Sequence, residues 1–439
     1  MARKSRKLTL AQQAAFYLRR KQADTLVVSP LNGKTYYVSG TGSDAANGLS
    51  TTTPKRTLQA VHALMVPGDT CEAMNGDYTN AGASTAVLEI TTPGTAAAPI
   101  TYRRYAGHNP RIVVGAQNWQ GIWVKANYVV IDGFEVKGNA ENITYAYAFA
   151  ERNNTNNSST SADGIICTGT DVLTRRNVTV RNCVVHHMPG AGIAAQYYDY
   201  VIFEDNRSYS NSWWTPYGTS GISLRLSKDV DADTISYKNT IRRNICYDNE
   251  NFIGFIYAAG VITDGNGIIV DENKVATAYA GKTLVTNNLC FNNGGSGIHA
   301  FDSAKVDIIN NTAYNNSRSP ALNNGEIFAN QSTTVNIHNN IMYARTSKVV
   351  TTNNSNSGVS YNYNIYYNGA AAVVGANDLN ATDPKFVAPG IDPVTSSFRL
   401  QVTSPAIGSG TTSLAPSDDL VKSPRVGAID RGAYRALAA

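Results

Sequence analysis

The chain reads as an all-β solenoid, a parallel β-helix, and three observations carry that expectation. A six-residue pattern (Asn, any residue, small or soft apolar, aromatic, any residue, Asn) recurs at NRSYSN (206–211), NICYDN (244–249), NLCFNN (288–293) and NTAYNN (311–316), with NIMYAR (340–345) as a variant. A Gly-Ile column lies between the copies at DGIIC (163–167), AGIAA (191–195), SGISL (220–224), NGIIV (266–270) and SGIHA (296–300). GEIFA (325–329) continues it with Glu326 in place of Gly. Successive Ile residues of this column stand 28, 29, 46, 30 and 29 positions apart, which is how a solenoid accommodates loops added to a fixed coil.

Short alternating strands that repeat with no helix between them must stack in parallel, with neighbouring coils about 4.8 Å apart. Asn206, Asn244, Asn288, Asn311 and Asn340 then form an internal amide ladder, and Tyr209, Tyr247, Phe291, Tyr314 and Tyr343 an aromatic stack. Cys246, Cys290, Ala313 and Met342 share a third column, which makes two of the five cysteines core filler. With no close Cys pairs, neither a disulfide framework nor a zinc site is indicated. Asn-x-Ser/Thr triplets such as the one at Asn177 read as ladder or turn residues before glycosylation acceptors.

Ahead of the coils, TPKRTLQAVHALMVPGDT places Leu58, Val61, Leu64 and Met65 at helical spacing and ends at Pro67-Gly68, the pattern of an N-terminal cap helix. The formal charge is +5, yet Arg3, Lys4, Arg6, Lys7, Arg19, Arg20 and Lys21 all precede the first acid, Asp24. The remainder is near neutral, which argues against nucleic acid along the body. No segment is long and apolar enough to span a membrane. Residues 1–34 read as a basic amphipathic leader without the features of a secretory signal. Residues 35–370 read as the capped β-helix and 371–439 as its closing segment.

YYVSGTGSDAANGLSTTTPKRTLQAVHALMVPGDT (36–70) resembles the opening of pectate-lyase-like right-handed parallel β-helix proteins. DPKFVAPG, FRLQVTSPAIGSG and PRVGAIDRGAYRA resemble their closing segment. The resemblance covers residues 35–439 and implies the fold, with a polysaccharide laid along the coils. That fold serves lyases, hydrolases, epimerases and phage tail spikes, so it does not by itself decide an activity. A basic leader resembles an attachment segment that would join other virion or tail proteins, and spikes of this fold resemble trimers, which extends the expectation to a homotrimer.

Insertions mark the working face. Connections after the Gly-Ile strand are long at TGTDVLTRR, LSKDVDADTISYK and DENKVATAYAGK, and connections before it at NSWWTPYGTS and NENFIGFIYAAGVITD. A groove should run between them. If Ile222, Ile268 and Ile298 point inward, then Ser223, Arg225, Ile269, Asp271, His299 and Phe301 point outward. Arg225 and Asp271 become neighbours on adjacent coils, with His299 diagonal to Asp271. Tyr197, Tyr198, Trp213, Trp214, Tyr217, Phe252 and Tyr257 fall near the same groove and suit sugar rings.

β-Elimination from a uronate needs a cation to neutralise the carboxylate and a base to take the C5 proton. The resemblance implies that Asp264, Asp271 and Glu272 would hold Ca²⁺, with Arg225, Lys274 or His299 as base. The bland alternative is that Arg225 and Asp271 form an ordinary surface ion pair. The signatures of polygalacturonase-type hydrolases (NTD, DD and GHG) are absent. DVDADTISYKN (229–239) mimics the start of a calcium loop but carries Thr234 where Gly is required.

Three readings stand at this point. The first is a tail-spike-like, virion-associated protein that binds a bacterial surface polysaccharide and, if catalytic, depolymerises it by β-elimination. The second is a free extracellular lyase, and the third a non-catalytic adhesive β-helix.

Overall fold

A computed structural model of the chain describes residues 33–436, apart from residues 81, 83, 84 and 259. Its strands form three long sheets of 11, 9 and 10 strands, all paired in parallel, and one separate antiparallel pair, Phe386–Ala388 with Ser397–Leu400. One coil shows the plan. Arg175–Arg181 lies in the 11-stranded sheet, Val184–His186 in the 10-stranded sheet and Ile193–Gln196 in the 9-stranded sheet. Tyr198–Glu204 then begins the next coil beside Arg175–Arg181. Alternation turns Val178, Val180, Val185, Ile193 and Ala195 inward, where all five are buried, and similar residues from each coil make one continuous core.

The corners explain the Asn pattern. A two-residue corner joins the 11-stranded to the 10-stranded sheet. Its first residue is left-handed, as at Asp205, Arg243, Asn287, Asn310 and Asn339 (φ 54 to 58°), a conformation that Asn and Asp tolerate best. Its second residue is the ladder Asn, whose side chain turns into the core. Each amide group donates to the oxygen of the next: Asn206 to Asn244 (3.0 Å), Asn244 to Asn288 (3.0 Å), Asn288 to Asn311 (3.0 Å), Asn311 to Asn340 (3.1 Å) and Asn340 to Asn364 (3.1 Å). The same oxygen also accepts the backbone N–H of the preceding ladder residue, as Asn288 does from Asn244 (2.9 Å). Asp378 closes the chain by accepting from the Asn364 backbone at 2.6 Å.

The last Asn of each six-residue pattern builds a second ladder, Asn211–Asn249–Asn293–Asn316, also behind left-handed residues. It ends on Glu326, the residue that interrupts the Gly column, which accepts the Asn316 backbone N–H at 2.9 Å and its side-chain amide. Burial pushes the Glu326 carboxyl up to about 8.

All five cysteines are free and buried, and Cys246, Ala313 and Met342 lie in the core as expected. The aromatic column faces outward from the 10-stranded sheet: Tyr209, Tyr247 and Phe291 stack at 4.8 and 4.9 Å, the spacing of the coils. Residues 371–436 do more than close the end. They fold back along this flank, where Phe386, Phe398 and Leu400 cover the column and Asp418 reaches Arg243 at 3.2 Å. At the other end, the cap helix Leu58–His62 buries Leu58 and Val61. Leu64 lies beyond the helix and is exposed, contrary to its expected place on the inner face. The expected attachment segment lies outside the described residues except for positions 33 and 34.

Asn288→Ala leaves the buried Asn244 backbone N–H without its acceptor and removes the amide that donates to the Ile241 carbonyl and to Asn311, and should cost about 3 kcal/mol in chemical denaturation. Exposed Asn377→Ala should stay within about 0.5 kcal/mol. Because the folded state holds the Glu326 proton more tightly than the unfolded chain does, this group's stabilisation is complete at low pH and is lost as pH rises through about 8. Between about pH 4.5 and pH 8, thermal midpoints of Glu326→Gln should therefore fall less than those of the native protein.

Candidate functional site

Two walls rise beside the 9-stranded sheet. The first is built from connections that enter its strands: residues 139–162, 211–219 and 249–265. They share a small core of their own, in which Ala140, Ala148, Trp214 and Ile253 pack together. The Trp214 indole donates to the Ala140 carbonyl (2.7 Å), the Tyr217 hydroxyl to that of Thr155 (3.0 Å) and the Phe252 N–H to that of Trp213 (3.2 Å). The second wall comes from connections that leave the strands. Lys228 bonds Asp171 (2.8 Å), and buried Lys238 gathers Asp199, Asp229 and Asp231. Ser227 N–H reaches Asn273 at 2.6 Å.

The floor consists of the outward residues of the sheet, in two rows set by its register. One row runs Trp123, Ile166, Ala194, Ser223, Ile269, His299, Phe328; the other runs Thr168, Gln196, Arg225, Asp271, Phe301, Asn330. Arg225 and Asp271 are direct partners on adjacent coils, and His299 is diagonal to Asp271, as the alternation requires.

Arg225 organises the charges. Its Nε lies 3.7 Å from Asp271 and its Nη2 bonds Glu272. Asp264 lies on the wall side of the same coil, held by Thr263 (2.7 Å) and Asn266 (3.1 Å). Gly218, at φ +58°, closes over it: a Cβ there would stand 2.8 Å from the Asp264 carboxyl. Burial raises the Asp264 carboxyl to about 6, against the pull of those two hydrogen bonds. Asp271 keeps 20% side-chain exposure, yet burial, reinforced by the charges of Asp264 and Glu272, holds its carboxyl well above the usual range despite Arg225.

Other expected residues fall elsewhere. Lys274 bonds Asp302 (3.1 Å) and the Gln331 carbonyl on the following coils, so it is committed away from Asp271. His299 stacks on Phe328 at 4.1 Å; its Nε2 has no hydrogen-bond partner, and burial pushes the imidazole down to about 3, leaving it neutral. Tyr198 is fully buried, with its hydroxyl on the Ala126 carbonyl (2.8 Å), and Trp214 is the core of the first wall. Neither has a face to offer a ligand, which corrects the expectation for both. Trp213 is half-buried against His187, Trp214 and Phe252; Tyr197 is half-buried at the base of the second wall, and Tyr217 is tied to Thr155.

The calcium expectation meets a physical objection. Among the described residues no group of three or more His, Cys, Asp or Glu is arranged to hold a metal ion. Arg225 already provides the positive charge between Asp271 and Glu272, so these carboxylates do not fit a Ca²⁺ site. The loop at 229–239 is likewise spent: Asp229 takes Lys238 and two backbone N–H groups, Asp231 takes Tyr200, and Asp233 caps its own turn.

Two features were missed. Trp123 lies on the floor, donating to Thr168 at 2.7 Å, and its signal was available because Gly121-Ile122-Trp123 continues the Gly-Ile column one coil earlier. The helix Tyr145–Ala150 stands on the first wall with Tyr145, Tyr147 and Phe149 all exposed and only Ala148 buried. No column marks it.

A family model described as the right handed beta helix region matches residues 120–282. Among solved structures, pectate lyase Pel9A superposes with a TM-score of 0.55 at 17% identity, covering 92% of this chain and 96% of that one. The chain has the pectate-lyase-like right-handed parallel β-helix fold. A rhamnogalacturonan lyase covers 81% of this chain and 91% of its own at 16% identity and a TM-score of 0.44. A GH136 lacto-N-biosidase from Eubacterium ramulus covers 82% at 16% identity and 0.47, with 58% of its own chain aligned. No curated protein matches the sequence.

Arg225→Met removes the one charge that lowers the Asp271 carboxyl and should move it further upward. Carbon-detected NMR titration of the Asp side chains checks the direction.

Proposed function

We propose that the groove binds an extended polysaccharide and cleaves it at the Asp271 coil, with Asp271 as proton donor. The observation that carries this reading is a carboxyl whose pKa burial raises well above the usual carboxylate range, beside an ion-paired carboxylate on the floor of an open, two-walled groove. Glycosidic cleavage uses two carboxyl groups whose environments differ in this sense. The Asp271 proton passes to the glycosidic oxygen as the C1–O bond breaks. Water oxygen bonds to C1, and the proton released by that water passes to Glu272. Exchange with solvent then restores both groups. Asp264 contributes by disfavouring charge on Asp271, and Arg225 by holding Glu272 in place.

This reading favours hydrolysis over β-elimination. Elimination needs a base for the C5 proton, and the two cationic residues expected for that role, Arg225 and Lys274, are both engaged by carboxylates, Glu272 and Asp302. The pectate lyase named above supports a carbohydrate ligand in this fold. A place on a phage tail or other particle rests on the basic composition of residues 1–34. Removing those residues should abolish incorporation into a particle while sparing cleavage.

Asp271→Asn should lower the rate of new reducing-end formation by about a hundredfold or more on whichever polysaccharide of a broad panel is cleaved. Activity of the native protein should fall as pH rises, because the protonated form is the active one. An ultraviolet-absorbing unsaturated product would identify elimination instead, and full activity in Asp271→Asn would sink the assignment.

A further inference from the structure

We infer that the groove takes an uncharged glycan, or one whose uronates are esterified; this deepens the polysaccharide reading above and rests on it. Within the rows from Trp123 to Phe328 and from Thr168 to Asn330, Arg225 and Asp271 are the only charged side chains, and they face each other; one coil earlier Glu89 extends the first row and is paired with Lys125. The remaining polar floor positions (Thr168, Gln196, Ser223, Asn330 and neutral His299) offer uncharged donors and acceptors.

Around this coil, even with Asp271 protonated, the acids Asp264, Glu272 and Asp302 outnumber the two bases, Arg225 and Lys274, and both bases are already bonded to acids. Lys228 is similarly held by Asp171, and Lys125, beside the floor, by Glu89 at 2.8 Å. A polyuronate would bring a carboxylate on each sugar into this surplus of negative charge. To pair with it, Arg225 would have to leave Glu272, exposing that carboxylate to an uncompensated environment.

The first wall gives an independent reason. Tyr145 and Phe149 stack at 5.7 Å with an angle of 24° between their rings and are about half exposed, with Arg152 lying over the Phe149 ring at 4.1 Å, and Tyr147 and Tyr257 are exposed as well. Flat aromatic faces of this kind engage the apolar faces of sugar rings and need no charge on the ligand.

The test uses single backbones in different charge states: polygalacturonate, alginate and hyaluronate, each against its methyl-esterified and carboxyl-reduced forms, with xylan and β-glucan as neutral polymers. Binding of the full chain to each is measured by calorimetry at two salt concentrations. At least one uncharged polymer should bind, and any backbone recognised should bind at least about tenfold tighter uncharged than charged, with a gap that shrinks as salt is raised. Asp302→Asn, which frees Lys274, should narrow the same gap. Tighter binding of the charged member, or equal binding of both, overturns the inference. If no polymer binds, the polysaccharide reading itself fails, and this inference with it.

Discussion

The buried asparagine amide that bridges one coil to the next is the interaction on which the rest of this structure depends. At each corner the chain leaves one sheet and enters another, and a backbone N–H turns inward where no strand can receive it. An unpaired donor there would cost about 1–3 kcal/mol at every coil. The ladder Asn accepts that donor with its oxygen and donates its amide onward, so each coil satisfies the one before it. Because the bond length is fixed, the ladder also fixes register. The aromatic column on the flank repeats at the same spacing, 4.8 to 4.9 Å.

A scaffold with fixed register turns sequence position into surface position. Side chains on the outer face of the 9-stranded sheet form straight rows, and a charge on one coil meets the residue aligned with it on the next. That is why Arg225 and Asp271 meet although 46 residues apart in sequence. Function then depends on what the connections add. The three that enter the sheet merge into one wall around Trp214, and those that leave it are pinned by Lys238 and Asn273. Between them Asp264 and Asp271 lie deep enough that burial outweighs the single nearby guanidinium.

Much of this was legible because it is periodic. The Asn and Gly-Ile columns predict the coils, the inward residues and the outward pairing of Arg225 with Asp271. What lacks a period was not legible. Trp213 and Trp214 look like ligand contacts on a Pro- and Gly-containing loop, but the first wall exists only when three distant insertions pack together, and that packing buries Trp214. Lys274 follows Asp271 closely in sequence, yet its partner Asp302 is on the next coil. The calcium expectation meets its objection at one side chain: from sequence, three carboxylates suggest a cation, and the reach of Arg225 to Glu272 appears only in three dimensions. The alternation that places Ile165 and Ile193 also points to Trp123, and carrying the column one coil further back would have found it.

The central claim is that Asp271 holds its proton well above the usual carboxylate range because burial and its acidic neighbours outweigh Arg225. Isotope-edited infrared difference spectroscopy of protein labelled at Asp carbons, native against Asp271→Asn, observes that proton directly. The account predicts a protonated-carboxyl stretch near neutral pH that disappears in the variant and fades in the native protein as pH is raised. A difference spectrum that contains only an ionised-carboxylate band for Asp271 would contradict it.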